Sequence, residues 1–163
     1  METNLQRYPN APRPDTIEAG DSFEDYVTDR LAESGITLRT YKSAKMQLGV
    51  GENRAGFEIK LDEGHQRYSH LSIEIAERRQ ASGIWVPSGI FRNDNSWLYI
   101  QGNRALFWVL FKPTLIERAR RAGITPLFAT AETIRAPIFE AHGTVRKFYL
   151  PPEEADALGK RFE

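Results

Sequence analysis

The chain contains no cysteine among its 163 residues. That absence excludes a disulfide framework, thiol catalysis and a zinc site built on cysteine, and it agrees with a reducing compartment. No apolar run approaches the roughly 18 residues needed to cross a membrane. The first residues, METNLQRYPNAPRP, lack the apolar core of a signal peptide. These absences predict a cytoplasmic protein with no membrane partner.

Excess charge is also lacking, since 22 Lys and Arg residues balance 22 Asp and Glu residues. No global electrostatic field therefore draws the protein towards nucleic acid, and any polyanion site has to be a local patch. The three histidines, His65, His70 and His142, lack the spacing of metal ligands and are predicted to be surface residues.

Length and composition predict one compact domain, and the helical and strand patterns along it predict the α/β class. Residues 1–20 hold three prolines and few apolar side chains, so they are predicted to form an irregular arm, with the domain over residues 21–163. The domain begins with an amphipathic helix over residues 23–34 that ends at Gly35. Glu24 falls at the edge of its apolar stripe. It is either a favourable charge in the first turn or an acid aimed at the end of a neighbouring sheet.

Gly, Pro and side-chain periodicity divide the rest of the chain into further elements. Residues 127–138 give no clear pattern. The predicted elements are a strand over 36–48, a hairpin of residues 97–100 and 105–111, a short helix from Pro113 to about Ala122, a strand at Val145–Leu150 and a helix after Pro151 and Pro152.

The central stretch, Gly51–Glu77, contains two apolar/polar alternations, FEIKL at 57–61 and LSIEIA at 71–76. They predict two neighbouring strands joined by a loop. Because the side-chain period of a strand is two, Glu58 and Lys60 share one face, and Glu74 lies on the polar face of the second strand. Alternating charges are also typical of a solvated outer face. If the apolar faces line up in one sheet, however, the two carboxylates and the ammonium converge.

The order of elements and the segment NRAGFEIK at 53–60, followed by LSIE at 71–74, resemble the PD-(D/E)XK, or restriction-endonuclease-like, superfamily of nucleases. More narrowly, the segment resembles phage and bacterial members that carry N-x-x-G-x-E-I-K. The resemblance covers roughly residues 22–112 and implies a central mixed β-sheet flanked by helices.

The resemblance also implies an activity, the Mg²⁺-dependent or Mn²⁺-dependent hydrolysis of phosphodiester bonds in DNA. Carboxylates hold such an ion, and a lysine orients the attacking water or neutralises developing charge. By resemblance, Glu58 and Glu74 are the metal ligands, Lys60 is the catalytic lysine and Glu24 is an outer acid. Nucleases of this kind often cut as dimers, so a homodimer is a further expectation, although no stretch of sequence identifies an interface.

The chain departs from the family pattern at one position. The usual lysine stands two residues after the second acid, where this chain has Ala76. Lys60 is expected to reach the site from the neighbouring strand instead. Glu77 shares the parity of Ile73 and Ile75, so without a bulge it points away from the site.

Two other functions compete with hydrolysis. One is a nuclease-like module that has lost catalysis and binds DNA or a protein, and the other is a small structural or interaction protein. Basic residues beside Glu58 would favour either DNA function. The candidates for phosphate contacts are Arg78, Arg79, Arg118, Arg120 and Arg121.

Overall fold

The computed structural model describes residues 14–41, 44–126 and 138–163. Within these residues the protein is a mixed α/β structure with two four-stranded sheets, which confirms the predicted fold class. The helices are α1 (Pro14–Glu33), α2 (Ala44–Gly49), α3 (His65–Tyr68), α4 (Lys112–Arg121) and α5 (Pro152–Leu158). The strands are β1 (Phe57–Leu61), β2 (Leu71–Glu77), β3 (Val86–Pro87), β4 (Leu98–Gly102), β5 (Phe107–Phe111), β6 (Ile138–Ala141), β7 (Val145–Leu150) and β8 (Gly159–Phe162).

The first sheet has the strand order β1-β4-β5-β8. Strand β1 runs parallel to β4, and the other pairs are antiparallel. Phe57 and Ile59 of β1 pack against Phe23 and Val27 of α1 in a buried cluster. Full burial of such side chains contributes about 1.5–3 kcal/mol each. The predicted alternation in β1 therefore turns Glu58 to the opposite face.

The second sheet has the strand order β3-β2-β7-β6, and all its pairs are antiparallel. Ile73 of β2 lies opposite Phe148 of β7, and both belong to a core that also contains Trp108 and Tyr99 of the first sheet. The two sheets therefore share one core. Tyr99 is the register partner of Glu58, so Glu58 lies on the face of the first sheet that is turned towards this core.

The prediction that the two central strands pair as neighbours is wrong. Strand β1 pairs with β4, whereas β2 pairs with β3 and β7 in the other sheet. The sheets are linked by the side chain of Asp62, which accepts hydrogen bonds from the Ser72 backbone N–H and hydroxyl and from the Gln101 amide. Hydrogen bonds of the Asp62 side chain thus connect the two sheets, because β1 and β2 form no backbone hydrogen bonds as paired strands.

The predicted strand over residues 36–48 is also wrong. Thr40 makes a single bridge to Asn53, and the later residues form α2. The sequence of α2, AKMQLG, consists mainly of good helix formers, and this local preference prevails.

The first helix is longer than predicted. Residues 14–20, assigned to the irregular arm, belong to α1, which begins at Pro14, a residue that is favourable at the first position of a helix. Most of the unassigned segment, residues 127–137, lies outside the described residues.

The other predicted elements agree with the structure, whereas helix α3 and strand β6 were not predicted. His65 in α3 is 4% exposed, so its prediction as a surface residue is wrong. The hairpin β4–β5, helix α4, strand β7 and helix α5 lie where they were predicted. Strand β8 was not predicted, because its residues GKRF are short, polar and largely exposed. None of the helices in the described ranges has both the length and the apolar character that a membrane span requires.

Candidate functional site

Glu58 and Lys60 meet at the edge of the first sheet. The Glu58 side chain is 2% exposed, and its Oε1 lies 3.4 Å from the Lys60 ammonium. Oε1 is buried and has no hydrogen-bond partner. Glu52 completes the group, because its Oε1 lies 3.7 Å from the same ammonium. We call Glu52, Glu58, Lys60 and Glu74 the acid–lysine cluster.

The conformation of residues 52–57 explains how Glu52 arrives there. The Asn53 amide bonds both the N–H and the carbonyl of Phe57, which fixes the chain just before β1. Gly56 has φ +77°, and a Cβ at this position would lie 2.5 Å from the Trp97 ring. The Glu52 carboxylate then accepts a hydrogen bond of 2.8 Å from the Ile59 N–H on the open edge of β1. The Asn and Gly of the N-x-x-G-x-E-I-K segment thus have a structural role in this chain.

A second lysine, Lys112, contacts Glu58 from the end of strand β5 in the β4–β5 hairpin. Lys112, at the start of α4, is 3% exposed, and its ammonium lies 3.8 Å from Glu58 Oε2 and 3.0 Å from Asp94 Oδ1. It also donates to the Ser96 hydroxyl and, at 3.2 Å, to the Arg92 carbonyl. A buried ammonium needs such a complete set of partners.

Glu74 approaches the cluster from the second sheet. Its carboxylate accepts a hydrogen bond from the buried hydroxyl of Ser88. The next residue, Gly89, has φ +52°, and a Cβ there would lie 2.2 Å from the Glu74 carbonyl oxygen. Only glycine lets the chain pack this closely on β2 at Glu74.

Strand β2 contains a bulge immediately after Glu74. The register with β7 shifts between Glu74 and Ala76, so the side chains that follow change faces. Ala76 is fully buried in the core, which leaves no room for the lysine that the family usually has there. Glu77 lies 3.4 Å from Arg92, which in turn donates to Ser88. The expectation that Glu77 points away from the site assumed that β2 has no bulge, and it is wrong because a bulge is present.

The three carboxylates act together on Lys60. Burial lowers the pKa of Lys60, but Glu58, Glu52 and Glu74 outweigh it and raise the pKa to about 12. Burial, reinforced by the same three carboxylates, raises the pKa of Tyr99 well above its usual value. The structure thus brings Glu58, Lys60 and Glu74 into electrostatic contact. Glu58 and Lys60 are direct neighbours, and Glu74 acts over a longer distance.

Glu58 and Asp94 respond differently to the neighbouring lysines. Burial raises the pKa of Glu58, against the opposing effects of Lys60 and Lys112. Burial also opposes ionisation of Asp94, but hydrogen bonds from Ser96 and Lys112 hold its pKa below the usual value. Asp94 is therefore the ionised partner of Lys112. Glu58, in contrast, is buried between the ammonium groups of Lys60 and Lys112.

Glu24 on α1 belongs to the same electrostatic neighbourhood. Partial burial, followed by repulsion from Glu52 and Asp21, raises the pKa of Glu24 to about 7. Lys60 opposes the shift. Glu24 thus lies in a region of surplus negative charge, and its role as an outer acid stays a prediction.

The five arginines proposed for phosphate contacts are spread over two regions. Arg78 lies over the Trp85 ring and pairs with Glu140. Arg118 pairs with Glu154. These contacts hold the surface of the fold together. Arg121 pairs with Glu117 on the surface of α4, and Arg79 and Arg120 are exposed.

The acid–lysine cluster offers a divalent cation at most a pair of neighbouring carboxylates, those of Glu52 and Glu58. No group of three or more His, Asp or Glu side chains within the described ranges is placed to hold an ion. Mg²⁺, however, is commonly bound by one or two carboxylates together with water and substrate phosphates. Glu52 and Glu58 both contact one cationic group, the Lys60 ammonium, and Glu58 Oε1 accepts no hydrogen bond from the described residues. The expected metal ligands were Glu58 and Glu74, whereas the carboxylate that shares the Lys60 ammonium with Glu58 is that of Glu52.

Sequence reasoning missed Lys112, Asp94, Ser96 and Arg92. Loop 92–96 has no periodicity, and Lys112 looks like an ordinary charge at a helix start. One signal was present. Lys112 directly follows the apolar strand FWVLF, where a charged side chain tends to be held against the sheet end.

The raised pKa of Glu24 predicts a specific pH dependence of stability. Between pH 4.5 and about 7 the folded chain keeps a proton that the unfolded chain has released, so the free energy of unfolding falls as the pH rises. Glu24→Gln should flatten this fall and exceed the wild type in stability above pH 7. Asp29→Asn, on an exposed position of the same helix, is the matched control and should keep the wild-type profile. Urea unfolding over this pH range measures both, and identical profiles for Glu24→Gln and the wild type would contradict the assignment.

Because Lys112 pairs with two buried carboxylates, its replacement should greatly lower the free energy of unfolding, and this loss should be coupled to Glu58. Lys112→Met leaves Glu58 and Asp94 without their common ammonium, and breaking a buried pair costs about 3–5 kcal/mol. Adding Glu58→Gln removes one orphaned charge, so the double variant should lose less than the sum of the single losses. Arg121→Met, which breaks an exposed pair on the same helix, should cost about 0.3–0.5 kcal/mol. Equal losses for Lys112→Met and Arg121→Met in urea unfolding would refute this account.

Comparison with models of known protein families, with curated proteins and with solved structures gives no match for this chain. The nuclease resemblance therefore stays a prediction.

Proposed function

We propose that the protein is a metal-dependent phosphodiester hydrolase that acts on DNA. The observation that carries the proposal is the acid–lysine cluster, in which Glu52, Glu58 and Glu74 all act on the Lys60 ammonium. They come from a loop and from strands of two different sheets. An alternating solvated strand face explains neither this convergence nor the burial of Glu58.

The cluster provides separate groups for binding a cation and for neutralising charge. Glu58 and Glu52, with Glu74 nearby, would hold Mg²⁺ or Mn²⁺. When bound, such an ion activates water and offsets charge on the phosphate. Lys60 stays protonated at neutral pH because its pKa is about 12. It therefore stabilises negative charge on the phosphate and does not act as a base.

Glu24 is suited to proton transfer. Its pKa of about 7 lets it accept or release a proton near neutral pH. In this proposal Glu24 is the outer acid of the site. Arg92, whose side chain is 24% exposed beside Glu77, adds a cation that can contact a phosphate.

One observation favours a second candidate, a nuclease-like module that binds DNA or a protein without cutting it. Glu58 is already compensated by both Lys60 and Lys112, and three-ligand metal groups are absent from the described ranges. An ion therefore has to compete with Lys60. The two candidates differ in whether DNA is cleaved.

The decisive variant is Lys60→Met, tested against plasmid DNA with Mn²⁺. Removal of the ammonium leaves Glu52 and Glu58 without the cation that they share, so Mn²⁺ should raise the melting temperature at least as much as in the wild type. Loss of one charge-stabilising group should lower the cleavage rate about 10²–10³-fold. Glu58→Gln should lose both Mn²⁺ stabilisation and cleavage while keeping the shape of the side chain.

Glu63→Gln is the control, since Glu63 is exposed just after β1. It should cut DNA and respond to Mn²⁺ like the wild type. Cleavage at the wild-type rate by Lys60→Met or Glu58→Gln would overturn the proposed site. DNA binding by the wild type without cleavage in Mg²⁺ or Mn²⁺ would favour the binding module.

A further inference from the structure

The most exposed large apolar side chain of the described residues lies in the connection between β2 and β3. Ile84 is 88% exposed, and Val86, two residues further along the chain, is 47% exposed. Residues 79–82 of the same connection are exposed as well. Single apolar residues are common on protein surfaces, but an exposure this high beside a second exposed apolar side chain indicates a contact with a partner.

Trp85, the residue between these two, is held in place by two arginines. The guanidinium carbons of Arg78 and Arg146 each lie 4.2 Å from the centroid of the Trp85 ring. Both arginines also pair with Glu140 on β6. Trp85 is partly buried and packs against the core. The backbone at Ile84 is therefore attached to a fixed residue, so a contact of Ile84 with a partner requires little loss of conformational freedom.

The surroundings of Ile84 carry more positive than negative charge. Arg78 and Arg146 share the carboxylate of Glu140, and Arg79 is exposed in the same connection. This excess of guanidinium groups favours a polyanion as the partner. Proteins that bend DNA combine arginines in this way with an apolar side chain, which enters the minor groove and separates two stacked base pairs.

Strand register gives the distance from Ile84 to the acid–lysine cluster. Val86 lies opposite Glu77, whose carboxylate is paired with Arg92. Counted in the same register, Ile84 is level with a position five residues after Glu74, and the bulge in β2 shortens this distance by one residue. At about 3.3 Å per strand residue the separation is roughly 13–16 Å. Since duplex DNA rises about 3.4 Å per base pair, the separation spans about four to five base pairs.

We infer that Ile84 is a wedge that enters the minor groove of duplex DNA, separates one base step and bends the duplex. The inference rests on the proposed function. It narrows the substrate to duplex DNA that is bent when bound, with the opened step about four to five base pairs from the phosphate at the acid–lysine cluster. Arg79 contacts a phosphate beside that step. Pyrimidine–purine steps such as TA unstack most easily, so DNA with such a step there should bind best.

The test measures bending without cleavage. A short duplex with a donor and an acceptor fluorophore at its two ends is titrated with the protein in EDTA. The wild type should bring the two ends together and raise the energy transfer. Ile84→Ser changes an exposed position, so its melting temperature should stay that of the wild type. It should leave the energy transfer at the value of the free duplex and weaken binding about tenfold, because an apolar contact is lost.

Two matched variants accompany Ile84→Ser. Ile84→Leu keeps an apolar side chain of the same size and should bend the duplex like the wild type. Ile36→Ser makes the same change at an isoleucine that is 41% exposed near the end of α1, and it should bind and bend DNA like the wild type. Bending by Ile84→Ser as strong as that of the wild type, or binding by the wild type that leaves the duplex straight, would overturn the wedge.

A duplex with a single TA step between stiff flanks tests the distance. In Mn²⁺ the wild type should cut about four to five base pairs from that step, and Ile84→Ser should lose this preference. Cuts by the wild type that are spread evenly along the duplex would overturn this placement of the wedge.

The two proposals fail separately in these experiments. Bending in EDTA that depends on Ile84, without cleavage in Mn²⁺, would overturn hydrolysis and keep the wedge. Metal-dependent cleavage with unchanged binding and bending by Ile84→Ser would overturn the wedge and keep hydrolysis.

Discussion

The burial of the Glu58 carboxylate is the constraint on which the rest of the site depends. A side chain that is 2% exposed and lies opposite the core residue Tyr99 cannot keep its charge without nearby cations. Lys60 and Lys112 supply them, and Lys112 in turn requires Asp94. Replacing such a network with apolar side chains is often neutral or stabilising. Stability alone therefore does not explain why the charges are there.

The meeting of two sheets brings the remaining charges to this place. The Asp62 side chain joins the end of β1 to β2 through Ser72, and Ser88 holds Glu74 from the loop before β4. The bulge after Glu74 then turns Ala76 into the core and lets Glu77 meet Arg92. The site is thus assembled from long-range contacts, while each strand contributes only one or two of its residues.

Side-chain periodicity predicted the faces of β1 and β2 but not their partners. The alternation in FEIKL places Phe57 against α1 and Glu58 on the other side, as expected. It says nothing about whether β1 pairs with β2 or with β4, since that choice is made by contacts distant in sequence. The prediction of a strand over residues 36–48 was wrong for a local reason. The helix preference of AKMQLG, rather than contacts distant in sequence, determines the structure there.

The candidate site was predictable in part. Glu24, Glu58, Lys60 and Glu74 were singled out from parity and resemblance, and the structure places all four in one electrostatic neighbourhood. Lys112, Asp94 and Ser96 carry no periodic pattern, and their roles follow from the hairpin that brings them to Glu58. Glu52 lies outside the alternating stretches, and only its hydrogen bond to the edge of β1 and its ion pair with Lys60 show its place in the cluster.

The most direct measurement for this account is the anomalous diffraction of a crystal soaked in Mn²⁺. The account predicts a peak at a ligand distance of about 2.1 Å from a Glu58 carboxylate oxygen, with the Lys60 ammonium displaced from its position beside Glu52 and Glu58. Diffraction that shows no peak near Glu58, with Lys60 still in contact with both carboxylates, would contradict it.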